Sequence, residues 1–265
     1  IGFEASRLVY DVYLRLKESL PLAASLKPLA PVIERLRLIK SPGEIEKIRR
    51  SVLTNSRAFE NTVQRIRPGI SESAIAARLE FEMRSLGAEK PAFETIVATG
   101  EHTALPHAQP SAQKAAVNEL LLIDMGACQD GYMSDMTRML CLGKPSPKTR
   151  KMYHAVLQSQ QAALDAVRPG VTAGHVDRKA RQVLESEGFG KEFTHSTGHG
   201  LGLEIHEPPR VGRRDKTRLE AGMVITIEPG AYVRGFGGVR IEDTVLVTRN
   251  GCEVLTPTSK ELILL

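Results

Sequence analysis

The segment from Thr194 to Glu207 carries three histidines, at positions 195, 199 and 206, with three glycines between the first and the last. Neutral imidazole is the commonest protein ligand for metal ions. Glycines are poor material for a helix or a core strand because each one costs backbone entropy. They suit a backbone that passes close to a ligand, so the segment predicts a metal site contacted by imidazole.

Four acidic residues follow or interrupt apolar, strand-like segments, and they are Asp124, Asp135, Glu228 and Glu242. Ionised carboxylates are rarely buried unless they are paired or bind metal. If the four converge they repel one another, and cations are the simplest compensation. Together with His199 they form a set that suits two divalent ions sharing carboxylates. Mixed oxygen and nitrogen ligands favour manganese, cobalt, iron or zinc.

The elements that would position these side chains occur twice along the chain. Ile66-Arg67-Pro68-Gly69-Ile70-Ser71 ends one predicted helix and caps the next, and Val167-Arg168-Pro169-Gly170-Val171-Thr172 does the same 101 residues later. In each case an apolar strand ending in a carboxylate and then a second strand come next. This repeat predicts that residues 41–265 form one pseudo-symmetric domain of two helix-helix-strand-strand halves. Chance similarity of the two Arg-Pro-Gly stops is the alternative.

Composition narrows the class of protein. The chain has 265 residues, 42% of them hydrophobic, and a net charge of +5, which is ordinary for a globular protein. Three widely spaced cysteines argue against a disulfide framework and favour the cytoplasm. No apolar run is long enough for a membrane span. The basic run Arg210–Arg218 lacks interleaved aromatic residues, so we expect a solvated loop and no nucleic-acid partner.

The sequence resembles the pita-bread metallopeptidases, and within them the Xaa-Pro aminopeptidases and prolidases. The matching motifs run in family order and are Leu105-Pro106-His107, Leu122-Ile123-Asp124-Met125-Gly126, Ser134-Asp135-Met136-Thr137-Arg138, His195 to Gly202, His206-Glu207-Pro208, Thr226-Ile227-Glu228-Pro229-Gly230-Ala231-Tyr232 and Val239-Arg240-Ile241-Glu242-Asp243. So many motifs in order are far more specific than a single one.

The resemblance implies an α+β pita-bread fold, with the two halves around a curved antiparallel sheet. It implies that Asp124 chelates one metal ion and that Asp135 and Glu242 bridge two. His199 and Glu228 would complete the second ion. The cofactor is then a pair of divalent ions, with manganese preferred over cobalt, zinc and iron.

The resemblance also implies the catalytic roles. Glu228 would act as general base for a water activated by the two ions. His206 would hydrogen-bond the developing oxyanion, and His107 would contact the scissile amide. The residues implied to line the proline pocket or to support the ligands are His195, Tyr232 and Arg240. Asp243 and Glu207 come directly after site residues, and we expect them to form salt bridges or support the ligands.

The activity implied is hydrolysis of the bond between an N-terminal residue and a following proline, as in an Xaa-Pro aminopeptidase. The alternatives are an Xaa-Pro dipeptidase (prolidase), a methionine aminopeptidase-like enzyme and a non-catalytic peptide-binding module. The partner is a proline-containing peptide, and we expect a homodimer. Residues 1–40 would be the tail of an N-terminal creatinase-like domain with its linker, and residues 41–265 the catalytic domain.

Overall fold

The computed structural model describes residues 1–20 and 25–265. Residues 21–24, which fall inside the predicted N-terminal segment, lie outside the described residues. The described chain divides into two compact units, Ile1–Arg37 and Leu38–Leu265. Every helix of residues 1–20 and 25–265 is too short or too polar to span a lipid bilayer.

The first unit is built from short elements. They are β1 (Gly2–Phe3), α1 (Tyr10–Ser19), β2 (Lys27–Pro28) and α2 (Val32–Leu38), whose last residue is the first of the second unit. β1 and β2 pair in parallel. Neither helix has a fully buried residue.

The second unit begins with its first half, in which two helices precede a group of strands. These are α3 (Pro42–Val63), α4 (Glu72–Ser85), β3 (Lys90–Pro91), β4 (Ile96–Thr99), β5 (Leu120–Met125), β6 (Ala127–Gln129), β7 (Tyr132–Met133) and β8 (Met136–Cys141), with a 3-10 helix at Gly100–Ala104. Ser41 and Glu44 form a capping box at the start of α3. The side chain of Ser71 caps α4.

The second half repeats this order. It contains α5 (Pro147–Ala166), α6 (Ala173–Ser186), β9 (Gly198–Gly200), β10 (Glu207–Val211), β11 (Val224–Ile227), β12 (Gly230–Val233), β13 (Gly237–Arg240), β14 (Asp243–Val247), β15 (Cys252–Val254) and β16 (Ile263–Leu264). The side chains of Ser146 and Thr172 cap α5 and α6 at their first turns.

The two Arg-Pro-Gly stops are structurally equivalent. Gly69 has a φ of 91° and Gly170 a φ of 86°, a backbone region that favours glycine. The amide of Gly69 donates to Ala115, and that of Gly170 donates to Leu219, which lies at the matching place in the second half. The repeat read from the sequence is therefore a structural repeat rather than chance similarity.

Strands from each half form one principal sheet. In the first half the order is β8-β5-β4, and β16 from the end of the second half pairs with β8 at the edge of this sheet. In the second half the order is β10-β9-β11-β14-β15. All pairs are antiparallel except that of β16 with β8. Alternate residues of β5 enter two cores: Leu122 packs in the core of α5 and α6, and Ile123 in that of α3 and α4. This explains why the run 120–123 is apolar at every position.

Gly126 is expected to tolerate no side chain, since a Cβ there would lie 2.2 Å from the carbonyl oxygen of Ser134. We expect Gly126→Ala to lower the free energy of unfolding by about 1–3 kcal/mol because the strands must move apart. Gly43→Ala is the matched control, since nothing lies within 4 Å of a Cβ at that helical position. Urea unfolding of both variants measures the difference, and equal stabilities would contradict the predicted clash.

Candidate active site

The two sheets bring the predicted ligands to one cavity of about 820 Å³. Asp124 lies in β5 and His199 in β9, while Asp135 and Glu242 each immediately precede the second strand of a pair, β8 and β14. Glu228 comes immediately after β11. All five side chains line the cavity. The pseudo-symmetry therefore places Asp135 and Glu242 at equivalent positions, one from each half.

The donor set fits divalent metal. Ligand atoms of Asp135, His199 and Glu242 lie within 4.8 Å of one another. The Nε2 atom of His199 is 3.5 Å from Asp135 Oδ2 and 3.4 Å from Glu228 Oε1. Among the described residues, buried Asp124 Oδ1, Asp135 Oδ1 and Glu242 Oε1 have no hydrogen-bond donor. Buried carboxylate oxygens without donors are costly, and cations between them would satisfy them.

Burial and mutual repulsion perturb these acids. Burial, then the neighbouring carboxylates Glu242 and Asp124, raise the pKa of Asp135 well above its ordinary value. Burial, then Glu228 and Asp124, raise the pKa of Glu242 in the same way. The pKa of Glu228 rises to about 7, chiefly by burial. These directions are those expected where several buried acids lie close together, and divalent cations would reverse them.

The imidazole of His199, a predicted ligand, is held in its neutral form. Burial lowers its pKa, so the ring stays uncharged near neutral pH. Its Nδ1 lies 3.0 Å from the carbonyl oxygen of Gly200 and must donate to it. That bond fixes the tautomer and leaves the lone pair of Nε2 directed toward the carboxylates.

Behind Asp124 lies a chain of three polar side chains. Arg240 Nη2 donates to Asp124 Oδ2, and Arg240 Nη1 donates to the Tyr232 hydroxyl at 2.7 Å. Because His195 Nδ1 donates to the carbonyl of Ser196, its Nε2 accepts from Tyr232 at 2.9 Å. Burial, then the charge of Arg240, lower the pKa of His195 to about 4. Burial raises the pKa of Tyr232 to about 12, so both rings are neutral.

The three residues predicted to line the proline pocket differ in position. His195 and Arg240 reach the cavity wall, whereas Tyr232 lies behind them and is not among the described residues that line it. The hydroxyl of Tyr232 supports Arg240 and His195 instead. The contacts of Tyr232 are thus those of a supporting residue, which was one of its two predicted roles.

The other two histidines of the predicted site, His206 and His107, lie at the solvent-exposed side of the cavity. The ring of His206 meets that of His199 at a centroid distance of 4.5 Å and an interplanar angle of 65°. His206 and His107 are both exposed and both line the cavity. Burial of part of the ring lowers the pKa of His206. Both can therefore contact a substrate that enters from solvent.

Two supporting threonines were not predicted from the sequence. Thr137 Oγ1 donates to Glu242 Oε2 at 2.6 Å, and Thr226 Oγ1 donates to Glu228 Oε1 at 3.2 Å. Each threonine is two residues along the chain from a predicted ligand, and hence on the same strand face. This two-residue spacing is the sequence feature from which the supporting role of the threonines could have been predicted.

The predicted salt bridges of Glu207 and Asp243 are confirmed. Lys40 Nζ lies 3.0 Å from Glu207 Oε2, and Arg138 Nη2 lies 2.8 Å from Asp243 Oδ1. All four side chains are almost completely buried. Neither acid is therefore free to join the predicted metal ligands without breaking a buried ion pair.

Comparison with known proteins decides the family. The model of metallopeptidase family M24 matches residues 46–249. The chain belongs to metallopeptidase family M24. Over 237 residues it is 46% identical to an Xaa-Pro dipeptidase of Pyrococcus furiosus, and the match covers 89% of the chain and 68% of that relative.

Two solved structures extend the M24 comparison. An Xaa-Pro dipeptidase from Bacillus anthracis matches with a TM-score of 0.96 and 42% identity, over 100% of this chain and 74% of that one. An X-Pro aminopeptidase from Thermotoga maritima matches with a TM-score of 0.92 and 37% identity, over 100% and 75%. The predicted pita-bread fold and the predicted metallopeptidase class are confirmed. The relatives' names favour the dipeptidase alternative over the aminopeptidase.

Divalent metal is expected to stabilise this M24 protein. Ions bound among the buried acids interact with the folded chain alone, so saturating Mn²⁺ at 100 times Kd adds about 2.7 kcal/mol for each site. Differential scanning calorimetry of chelator-treated protein with and without MnCl₂ measures this as a rise in Tm of several degrees. NaCl at matched ionic strength is the control. An identical Tm in both salts would contradict metal binding at the buried acids.

Proposed function

We propose that this M24 metallopeptidase is a dinuclear Xaa-Pro dipeptidase, which cleaves the bond between an N-terminal residue and a C-terminal proline. The observation that carries the proposal is the convergence of Asp135, His199 and Glu242 in one cavity, with three buried carboxylate oxygens that lack donors in the described chain. The dipeptidase relatives supply the substrate class.

The proposed metal ligands are Asp124, Asp135, His199, Glu228 and Glu242. Asp135 and Glu242 come from equivalent positions of the two halves, and this supports their role as ligands shared by two ions. Ions held there would polarise the scissile carbonyl and lower the pKa of a water molecule. Manganese is the preferred ion, because carboxylate oxygens dominate the set and no thiolate is present in it.

Three further side chains of this protein have proposed roles in catalysis. The Glu228 carboxylate, which lines the cavity beside His199, would receive a proton from the attacking water. His206, which also lines the cavity, would donate a hydrogen bond to the carbonyl oxygen as it becomes negative. His107, at the open side, would contact the scissile amide. The hydrogen-bonded side chains of Arg240, Tyr232 and His195 would hold Asp124 in position.

Two features of the cavity suit a short proline substrate. Phe93, Ile96 and Pro208 give it apolar walls, which suit a pyrrolidine ring. The exposed Arg210 also lines it. A guanidinium pairs well with a carboxylate, and in a dipeptide the carboxylate belongs to the proline itself. This supports a dipeptidase.

The aminopeptidase is the second candidate. It is supported by the likeness to the Thermotoga maritima structure, which is named an X-Pro aminopeptidase and matches over the full length of this chain. The substrates of the two activities differ after the proline, because a dipeptide ends there in a free carboxylate whereas a longer peptide continues with another peptide bond.

A substrate panel distinguishes the candidates. Protein loaded with Mn²⁺ is incubated with Leu-Pro, Leu-Pro-amide, Leu-Pro-Gly and Met-Ala-Gly, and release of the first residue is monitored with a chelator control. We expect cleavage of Leu-Pro, with kcat/KM at least about tenfold lower for the amide because it lacks the carboxylate. Preference for Leu-Pro-Gly would support the aminopeptidase, and cleavage of Met-Ala-Gly alone would support the methionine aminopeptidase-like alternative. No cleavage by metal-loaded protein would refute the proposal.

The predicted domain boundary near residue 40, the homodimer and the cytoplasmic location stay predictions. Gel filtration with light scattering measures the oligomeric state directly.

A further inference from the structure

His107 lies on a segment whose two ends meet a single buried carboxylate. The segment runs from Thr99 through the 3-10 helix to Ser111, with His107 at the cavity between them. The carboxylate belongs to Glu72, the first residue of α4, and it is fully buried. The proposed function gives Glu72 no task, and no sequence motif pointed to it.

The bonds to Glu72 come from both sides of His107. On the N-terminal side of His107, the amide of Thr99 donates to Glu72 Oε1 at 2.8 Å, and His102 Nδ1 lies 2.9 Å from the same oxygen. On the C-terminal side of His107, the amide and the hydroxyl of Ser111 donate to Glu72 Oε2 at 3.0 Å and 2.7 Å. His102 Nδ1 also lies 3.0 Å from Oε2. Both oxygens of the carboxylate are therefore engaged, and together they link the two ends of the segment.

The backbone around Glu72 reinforces this closure. The amide of Glu72 donates to the carbonyl of Gln113, and the amide of Ser73 donates to that of Ser111. The side chain of Gln113 returns to the carbonyl of Thr99 at 2.9 Å. The base of the segment is thus closed into a loop at the start of α4.

The middle of the segment is docked against β13. The amide of Gly238 donates to Thr103 Oγ1 at 2.7 Å, and Arg240 Nη1 donates to the carbonyl of Pro106 at 3.2 Å. Gly238 is so close that a Cβ there would lie 2.3 Å from the carbonyl oxygen of Thr103. Pro106 directly precedes His107, and Arg240 also binds Asp124. Pro106 is thus linked through Arg240 to Asp124, so a shift of the segment would move His107 relative to the predicted ligands.

We propose that Glu72 is a positioning residue for His107, acting through the closed loop 99–111. This inference rests on the proposed function for its effect on catalysis. A carboxylate is suited to the task because it accepts from all four donor groups at once, whereas a neutral amide would direct N–H groups at one set of donors. A displaced His107 would contact the scissile amide less well, and a displacement of 1 Å can cost about 100-fold in rate.

The test is a double-mutant cycle. Glu72→Gln is made in the wild-type protein and in the His107→Ala background, and kcat/KM for Leu-Pro is measured on Mn²⁺-loaded protein. We expect Glu72→Gln to lower kcat/KM by roughly 10- to 100-fold in the wild type but by less than about threefold when His107 is absent. The same loss in both backgrounds would show a general structural role and overturn the proposal. Glu60→Gln, an exposed helical substitution, is the matched control.

A second readout needs no substrate. Hydrogen exchange measured by mass spectrometry is expected to show faster exchange in peptides from residues 99–111 of Glu72→Gln, with exchange in β11 and β14 unchanged. Unchanged exchange in 99–111 would also overturn the proposal. If Leu-Pro is not cleaved by the wild type, the proposed function fails while this measurement still decides the anchoring. Should Glu72→Gln not fold, Ser111→Ala removes one of the four donors and is expected to give the same pattern with a smaller amplitude.

Discussion

Asp135→Asn is expected to abolish peptidase activity and to reduce bound metal in the same variant. Asp135 supplies a carboxylate at the centre of the cluster, 3.5 Å from His199 Nε2 and within 4.8 Å of a ligand atom of Glu242. An amide of the same shape offers one oxygen and no charge, so it cannot be shared between two cations. We expect kcat/KM to fall more than about 1,000-fold, a loss of about 4 kcal/mol of transition-state stabilisation.

Metal content measured by mass spectrometry after dialysis accompanies the kinetic assay. Asp165→Asn is the matched control, because Asp165 is exposed on α5 and its side chain accepts from Gln161. That variant should retain both activity and metal. If Asp135→Asn kept full activity, the shared-ligand role would be wrong. If it lost activity but kept both ions, Asp135 would act on catalysis without being an essential ligand.

Arg138→Met is expected to cause a large loss of stability. Arg138 is 1% exposed. Its guanidinium donates to Asp243 Oδ1 at 2.8 Å and to the backbone carbonyls of Thr137, Glu242, Thr258 and Ser259. Methionine fills part of the volume but leaves these acceptors without their donor. Removing one partner of a buried ion pair costs about 3–5 kcal/mol.

Urea unfolding measures this loss. Arg249→Met serves as the matched control because Arg249 is exposed, and we expect it to change the free energy of unfolding by no more than about 0.5 kcal/mol. A loss below about 1 kcal/mol in Arg138→Met would mean that Gln160 and Lys260, which also contact Asp243, compensate for the missing guanidinium.

Local sequence patterns were sufficient to predict the helices, the repeat and the set of acidic and histidine residues that meets in one cavity. Helix caps such as Ser41 and Thr172 and the glycines of the two stops act within a few residues of chain, so they can be read directly. The predicted ligands can also be recognised, because each acidic residue adjoins an apolar strand and the two halves repeat the arrangement. Among the histidines at the cavity, the Nε2 of His199 faces Asp135 and Glu228.

Contacts between distant parts of the chain could not be read in the same way. Glu72 and Ser111 are 39 residues apart, and Lys40 and Glu207 are 167 apart. Nothing in the local pattern around Glu72 distinguishes it from an ordinary acid in the first turn of a helix. In the same way, nothing in the local sequence around His102 indicates that its ring lies partly buried against Glu72. The parallel pairing of β16 with β8 is likewise set by tertiary structure.

The most direct test of two-metal catalysis is a titration of metal-free protein with Mn²⁺, in which bound metal and hydrolysis of Leu-Pro are measured on the same samples. We predict no hydrolysis without metal, and hydrolysis that rises with occupancy and reaches its limit at two ions per chain. Hydrolysis by the metal-free protein, or none when two ions are bound, would contradict this mechanism.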